Sequence, residues 1–343
     1  MRKNCRRNYA SGRRKITRSR TRLRTRIKNR VLHSLRRLTT LFFLICIFIY
    51  LFPDQTRNVI GRLEAEFPEI RQLSALLEPK AEMPAVSGNT EVHFLDVGEG
   101  LSILVKSDGR AMLYDGGDRD TSSFVVSYLR RQGIETLDYV IASHYDADHL
   151  SGLIGALYAF DVRQVLGPDY VHDSDTYQSF LTAVGAQGLT VTHPSAGDVY
   201  ALGNASFTVL APAQPASEPN DNSIVIRLVN GGTSFLFPGD AEQASENEMC
   251  RSGYLLKSDV LCPGHHGSAS STGYEFLMRV RPQYAVISAG AGNEYGHPHR
   301  ETLDLLAAAG VTVYRTDQSG TVVMYSDGSR IVPSPELSVP QQS

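Results

Sequence analysis

The stretch SHYDADHLSG, Ser143–Gly152, places two histidines and two aspartates within six residues, directly after an apolar run. That run, LDYVIAS, is rich in β-branched and aromatic residues and reads as a strand. The end of an apolar strand holds polar side chains rigidly, so four ligand-type groups there suggest the lip of a cleft. A single histidine is more often a satisfied structural residue than a ligand. The rest of the chain decides between these readings.

Toward the N-terminus, EVHFLDVG, LSILVKSD and RAMLYDGG are β-rich runs separated by Gly or Asp-Gly turns, and a helix is expected around 121–132. Toward the C-terminus, SFTVLAP, NSIVIRLVNG and TSFLFPGD read as strands and 241–252 as a helix. SDVLCPG, QYAVISAG and VTVYRT are strands interleaved with helices near 272–280 and 300–309. Hairpin strands with helices inserted between them imply an α/β (α+β) fold of two packed sheets with helices outside. No internal sequence repeat is visible.

Six strand ends carry ligand-type residues: Asp96; Asp115; His144, Asp146, Asp148 and His149; Asp240; His265 and His266; His297 and His299. Six of the ten histidines fall in three short motifs. Chance does not readily place them at successive strand ends beside glycines, and a metal site is the expectation.

SHYDADHLSG resembles the H-x-H-x-D-H metal motif of the metallo-β-lactamase fold, with Asp146 in place of the second histidine. It is closer to the H-x-D-x-D-H pattern of the extracellular hydrolase domain of ComEC-type competence proteins. HFLDVGEG, LYDGG, NDNSIVIRL, FLFPGD, DVLCPGHHGS and ISAGAGNEYGHPH match that subgroup in order, over roughly 91–330. The resemblance implies a metallo-β-lactamase αββα four-layer sandwich with its active site along one edge of the two sheets.

It also implies a ligand set. His144 and Asp146 alternate on an extended stretch and suit one metal, while Asp148 and His149 turn toward a second. Asp240 matches the family's bridging carboxylate, and His265 is the best match to the distal ligand of the second site. Two divalent ions can activate a bridging hydroxide and stabilise a phosphate's leaving oxygen, and Asp148 is expected to position both metal and hydroxide. A carboxylate in place of an imidazole makes the first site harder, which favours Mn²⁺ alongside Zn²⁺. By the same analogy His297 is the candidate donor to the leaving oxygen, with His299 beside it. Asp96 and Asp115 are expected to orient the ligands, against a structural-turn alternative.

Some positions depart from the pattern. The third histidine that usually precedes the bridging aspartate is absent, and NDNS stands there, so Asn222 is a candidate substrate contact and Asp221 an oxygen donor or turn former. Glu99 and Leu101 replace the Gln and Asp of the subgroup's D-V-G-Q-G-D. GHHGSASST offers His266 and Ser268 as donors to a phosphate oxygen, with a helix cap as the alternative for the serines. His93, His172 and His193 read as ordinary.

The net charge of −2 conceals an asymmetry: residues 1–37 hold 16 of the 34 Lys and Arg and no Asp or Glu, leaving about −18 for the remainder. Residues 38–52, LTTLFFLICIFIYLF, are uncharged and precede Pro53. The expectation is one N-terminal membrane helix at 38–53, with the basic tail in the cytoplasm and the remainder outside. A cleaved signal peptide is the alternative. The segment at 54–90 reads as stem and linker, the hydrolase domain as 91–332, and 333–343 as a disordered tail. Cys250 and Cys262 form a disulfide only if the outside is oxidising and their separation permits.

A membrane-anchored, metal-dependent phosphodiesterase acting on DNA is the leading reading. A hydrolase of another envelope phosphoester or ester, and a noncatalytic metal-binding module, are the alternatives. Single-stranded DNA and a separate channel protein are the partners implied, since one apolar segment forms no pore. Arg119, Arg300 and Arg315 lie near the motifs and are expected to make a narrow cationic track along the acidic domain.

Overall fold

The computed structural model describes residues 90–334. The basic tail, the apolar segment at 38–53, nearly all of the stem and linker, and most of the C-terminal tail lie outside the described residues. Among the described residues no helix is long and apolar enough to cross a membrane.

The chain opens on an antiparallel meander: β1 (Thr90–Phe94), β2 (Ile103–Ser107) and β3 (Arg110–Tyr114). It then passes to parallel crossovers. Helix α1 (Ser122–Arg131) leads to β4 (Thr136–Ile141), α2 (Ala147–Ala159) to β5 (Asp161–Leu166), and α3 (Asp175–Ala186) to β6 (Val191–Thr192). A second meander follows, of β7 (Val199–Leu202), β8 (Ala205–Ala211), β9 (Val225–Asn230) and β10 (Thr233–Phe237).

Crossovers then repeat in the second sheet. Helix α4 (Gln243–Arg251) leads to β11 (Val260–Leu261), α5 (Tyr274–Val280) to β12 (Tyr284–Ile287), and α6 (Arg300–Ala308) to β13 (Thr312–Arg315). After the short α7 (Thr316–Ser319), β14 (Val322–Ser326) and β15 (Ile331–Pro333) return to the first sheet beside β1. The strand orders are β15-β14-β1-β2-β3-β4-β5-β6 and β13-β12-β11-β10-β9-β8-β7. Each sheet is thus antiparallel in its meander and parallel in its crossovers.

Alternation along the strands builds the layers. Ile103 and Val105 of β2 join Phe235 and Phe237 of β10 between the sheets, while Leu104 faces the helical layer over the first sheet and Leu236 the layer over the second. With both faces covered, strands such as β3 and β10 carry consecutive buried residues rather than a buried-exposed alternation. Three buried clusters therefore separate four layers: sheet on sheet, α1–α3 on the first sheet, and α4–α6 on the second. Cys250 and Cys262 are both free and lie in different clusters, so the conditional disulfide is not formed.

Candidate metal centre

The candidate residues gather where the ends of β4, β10, β11 and β12 meet. Past β4, Ser143 is pinned from both sides: its carbonyl accepts from the Ile224 N–H at 2.8 Å, and its own N–H donates to Asp115 at 2.7 Å. Asp146 is the N-cap of α2, yet its side chain makes no capping bond. An N-cap aspartate ordinarily accepts from the first helical turn; here the carboxylate faces His144 at 3.7 Å instead. Asp148 and His149 follow on that turn. Gly100 (φ +105) lets the 98–100 loop press onto them, since a Cβ there would collide with the carbonyl of Asp148.

Asp240 leaves β10 after the turn at Gly239 (φ +59) and lies buried at the centre. One Asp240 oxygen faces the Nε2 of His149 at 3.3 Å; the other faces those of His266 at 3.5 Å, His265 at 3.8 Å and His144 at 4.0 Å. His266 also faces Asp148 at 3.5 Å. Two groups of donors lie close enough to hold an ion: His144, His149 and Asp240, and Asp148, His149 and His266.

The far nitrogen of each of these imidazoles is engaged. His149 Nδ1 donates to Asp115 at 2.8 Å, and His266 Nδ1 donates to the carbonyl of Ser288 at 3.2 Å. Ser143 Oγ donates to Asp115 at 2.6 Å and receives the Nδ1 of His144 at 3.1 Å. Protons on Nδ1 leave the Nε2 lone pairs turned inward.

What fills the inward side is the test of fit for a cation. The Nε2 atoms of His144, His149 and His266 and Oδ1 of Asp240 are buried without a hydrogen-bond partner. Such atoms cost about 1–3 kcal/mol each. The other three orphans among the described residues are separate hydroxyls, of Ser245, Thr272 and Ser319. Four converging at one point is the donor set of a metal, and the residues fit divalent ions. The electrostatics agree. Burial works against a proton on His266, but Asp240 and Asp148 hold its value up at about 9. Burial likewise opposes ionisation of Asp240, yet His149 and His266 keep it well below the carboxylate range. The cluster demands positive charge.

The remaining candidates sort by contact. His265 donates from Nδ1 to Glu242 at 3.1 Å and lies outside both three-donor groups, whereas His266, read as a substrate contact, lies within one. His297 rings the cleft with His265 at 5.4 Å and His299 at 4.8 Å between centroids. Burial, with His266 and His265 nearby, lowers its value to about 4. His299 accepts from the Ala269 N–H at 2.9 Å. Ser268 turns to the hydroxyl of Ser270. Asn222 closes its own loop, bonding Ala216 and Glu218, and Asp221 accepts from the N–H groups of Glu242 and Ser245. Asp96 is exposed; its carboxylate accepts from the Gly98 N–H at 3.4 Å and its N–H donates to Thr321 Oγ1 at 3.0 Å, away from the ligands that Asp115 holds.

A cavity of about 430 Å³ opens over the cluster, lined by Asp146, Asp148, Asp240, His265 and His297 together with Glu99, Asp118, Asn220 and Tyr295. Arg119, Arg300 and Arg315 do not line it: Arg315 is paired with Asp317, and Arg300 faces Asp304 at 3.4 Å. The cationic track is absent from the cleft. Two residues escaped the sequence reading. His172 faces Asp146 at 3.6 Å from the β5–α3 loop, and Tyr295 stands on the rim. His172 read as ordinary, and Tyr295, although inside the ISAGAGNEYGHPH stretch, is not a ligand-type residue, so pattern alone did not single them out.

A family model for the metallo-beta-lactamase superfamily matches residues 95–291. ComE operon protein 3 of Bacillus subtilis (strain 168) is 33% identical over 258 residues, covering 70% of this chain and 33% of that protein. Recombination protein 2 of Haemophilus influenzae is 34% identical over 238 residues, covering 68% and 28%. Competence protein ComA of Neisseria gonorrhoeae is 32% identical over 232 residues, covering 66% and 31%. The chain spans about a third of the length of these curated relatives.

Proposed function

Because the chain belongs to the metallo-beta-lactamase superfamily, we propose that it is a metal-dependent phosphodiesterase acting on DNA, held at a membrane by its N-terminal segment. The observation that carries the hydrolase reading is the convergence of four buried, unpartnered donor atoms from His144, His149, Asp240 and His266. His144, Asp146 and Asp240 would hold one divalent ion, and Asp148, His149, Asp240 and His266 a second. Zn²⁺ and Mn²⁺ both suit this mixture of imidazole and carboxylate. Bound there, the ions supply Lewis acidity, polarising a phosphoryl oxygen and lowering the pKa of water.

The chain's own groups do the rest. Asp115 and Ser143 hold the imidazoles in the tautomer that turns Nε2 inward. Asp148, half-exposed at the cavity floor, orients the attacking water through its carboxylate. His297, neutral at ordinary pH because its value lies near 4, offers a ring N–H to the leaving oxygen. The relatives named as competence and recombination proteins support DNA as the substrate. The uncharged run at 38–52 after a basic flank supports the anchor.

One observation favours a second reading. The cavity lining contains no Lys or Arg, whereas binding of long nucleic acid ordinarily rests on such residues at the phosphates. A small envelope phosphoester needs no such grip. The deciding experiment offers the purified full chain with Mn²⁺ single-stranded DNA, duplex DNA and a small phosphodiester at low and moderate salt. The DNA reading expects metal-dependent cleavage of single strands. Rapid turnover of the small diester with DNA intact at every salt level selects the second reading.

A further inference from the structure

We infer that Tyr295 is the substrate-reading residue of this site, a platform on which an unpaired base beside the scissile phosphate stacks. The inference rests on the DNA reading above and narrows it to single strands.

Tyr295 lies on the Gly290–His299 loop between β12 and α6, and the residue is 70% exposed. A lone exposed aromatic is ordinary on a protein surface, so exposure alone decides nothing. Its placement does. The ring borders the cavity that holds Asp148 and Asp240, and it stacks on His297 with centroids 5.7 Å apart and planes 22° from parallel.

The loop beneath it is fixed. Asn293 bonds the backbone of His297 in both directions, accepting its N–H at 2.9 Å and donating to its carbonyl at 2.5 Å, and it also donates to the carbonyl of Gly290. The Glu294 N–H donates to Glu99 at 3.1 Å, tying the loop to the 98–100 turn over α2. One face of the ring therefore rests on His297, held in place from below, and the other is free for a planar partner.

The rest of the cleft removes the competing mode of recognition. Among the described residues its lining contains no Lys or Arg, and Glu99 and Asp118 stand beside the cluster. The proposed ions would engage the scissile phosphate alone, so grip on the flanking nucleotides must come from something other than Lys or Arg pairing, and stacking on an aromatic ring contributes about 5- to 150-fold per base. A duplex keeps its base faces covered by their neighbours, so only a single strand presents one.

The test is steady-state cleavage by the full chain with Mn²⁺, using a short single-stranded oligonucleotide and the same strand with abasic residues flanking the cut. Wild type is expected to favour the base-bearing strand by about tenfold in kcat/KM, mainly through KM. Tyr295→Ala collapses that preference toward one, and Tyr295→Phe, which keeps the ring, retains it. A Tyr295→Ala variant with the wild-type preference overturns the inference and leaves the DNA reading standing. A wild type that cleaves neither strand overturns the DNA reading, and the inference with it.

Discussion

His265 and His266 are neighbours with left-handed backbones, φ +49 and +54, and this pair of outliers aims two imidazoles in different directions. Non-glycine residues persist in that region only where the surroundings over-determine them. His266 turns its Nε2 between Asp148 and Asp240 at 3.5 Å from each, while His265 donates its Nδ1 to Glu242 and holds its Nε2 farther from Asp240, at 3.8 Å. His266→Ala is therefore expected to abolish hydrolysis and lose one bound ion, with His265→Ala the milder variant in both. Equal loss from the two would place both in the centre. Asp115→Ala, which frees His149 and Ser143 but removes no proposed ligand, is expected to weaken metal affinity about 10- to 100-fold. Metal titration monitored by activity and by bound-ion analysis separates the three. The sequence motif marked both histidines as ligand types, but which of two adjacent side chains comes nearer to Asp148 and Asp240 is set by φ and by partners distant in the chain.

Among the elements, α4 and α5 are joined through one carboxyl group. Glu246 of α4 is buried and accepts from the N–H groups of Thr272 and Gly273 at 2.5 and 2.8 Å, where the loop bearing His265 and His266 runs into α5. Burial pushes its value up to about 7 from an ordinary 4.5, against the pull of those two donors. The folded state thus holds the proton more tightly than the unfolded chain. Its contribution is fully present below about pH 4.5 and is lost as pH rises through about 7. Unfolding of wild type and Glu246→Gln measured from pH 5 to 8.5 should diverge by on the order of 3 kcal/mol, the variant losing less. Parallel curves would remove the assignment. Helix α2 shows why part of the fold was illegible. Its two glycines, Gly152 and Gly155, argue against a helix by propensity, yet Gly152 is required because a Cβ would strike the carbonyl of Gly116 past β3. Gly152→Ala should therefore destabilise by about 1–3 kcal/mol, although alanine is the better helix former; a rise in denaturation midpoint would contradict this contact. The hairpins, by contrast, were legible because Gly and Asp-Gly turns punctuate runs of apolar strand, and because an apolar strand interior does not depend on remote partners.

At the scale of the molecule, four layers bring the parallel halves of two sheets to one edge, where the β4–α2 junction supplies His144, Asp146, Asp148 and His149, the turn after β10 supplies Asp240, and the loop after β11 supplies His266. The layer order was readable from element order, whereas the cleft's lack of cations depended on which arginines face the metal and which face Asp304 and Asp317. Charge is divided as sharply as structure: 16 of the 34 basic residues precede residue 38. A single-pass anchor predicts that a reporter fused after residue 343 works only outside the cytoplasm, and a released form beginning near residue 54 would show cleavage instead. The central claim is narrower, that the edge cluster is a two-ion centre. The full chain, stripped by chelator and reconstituted with Mn²⁺ or Zn²⁺, should retain two ions after desalting, counted by elemental analysis against protein concentration. Less than one ion per chain, with the fold intact by circular dichroism, would contradict it.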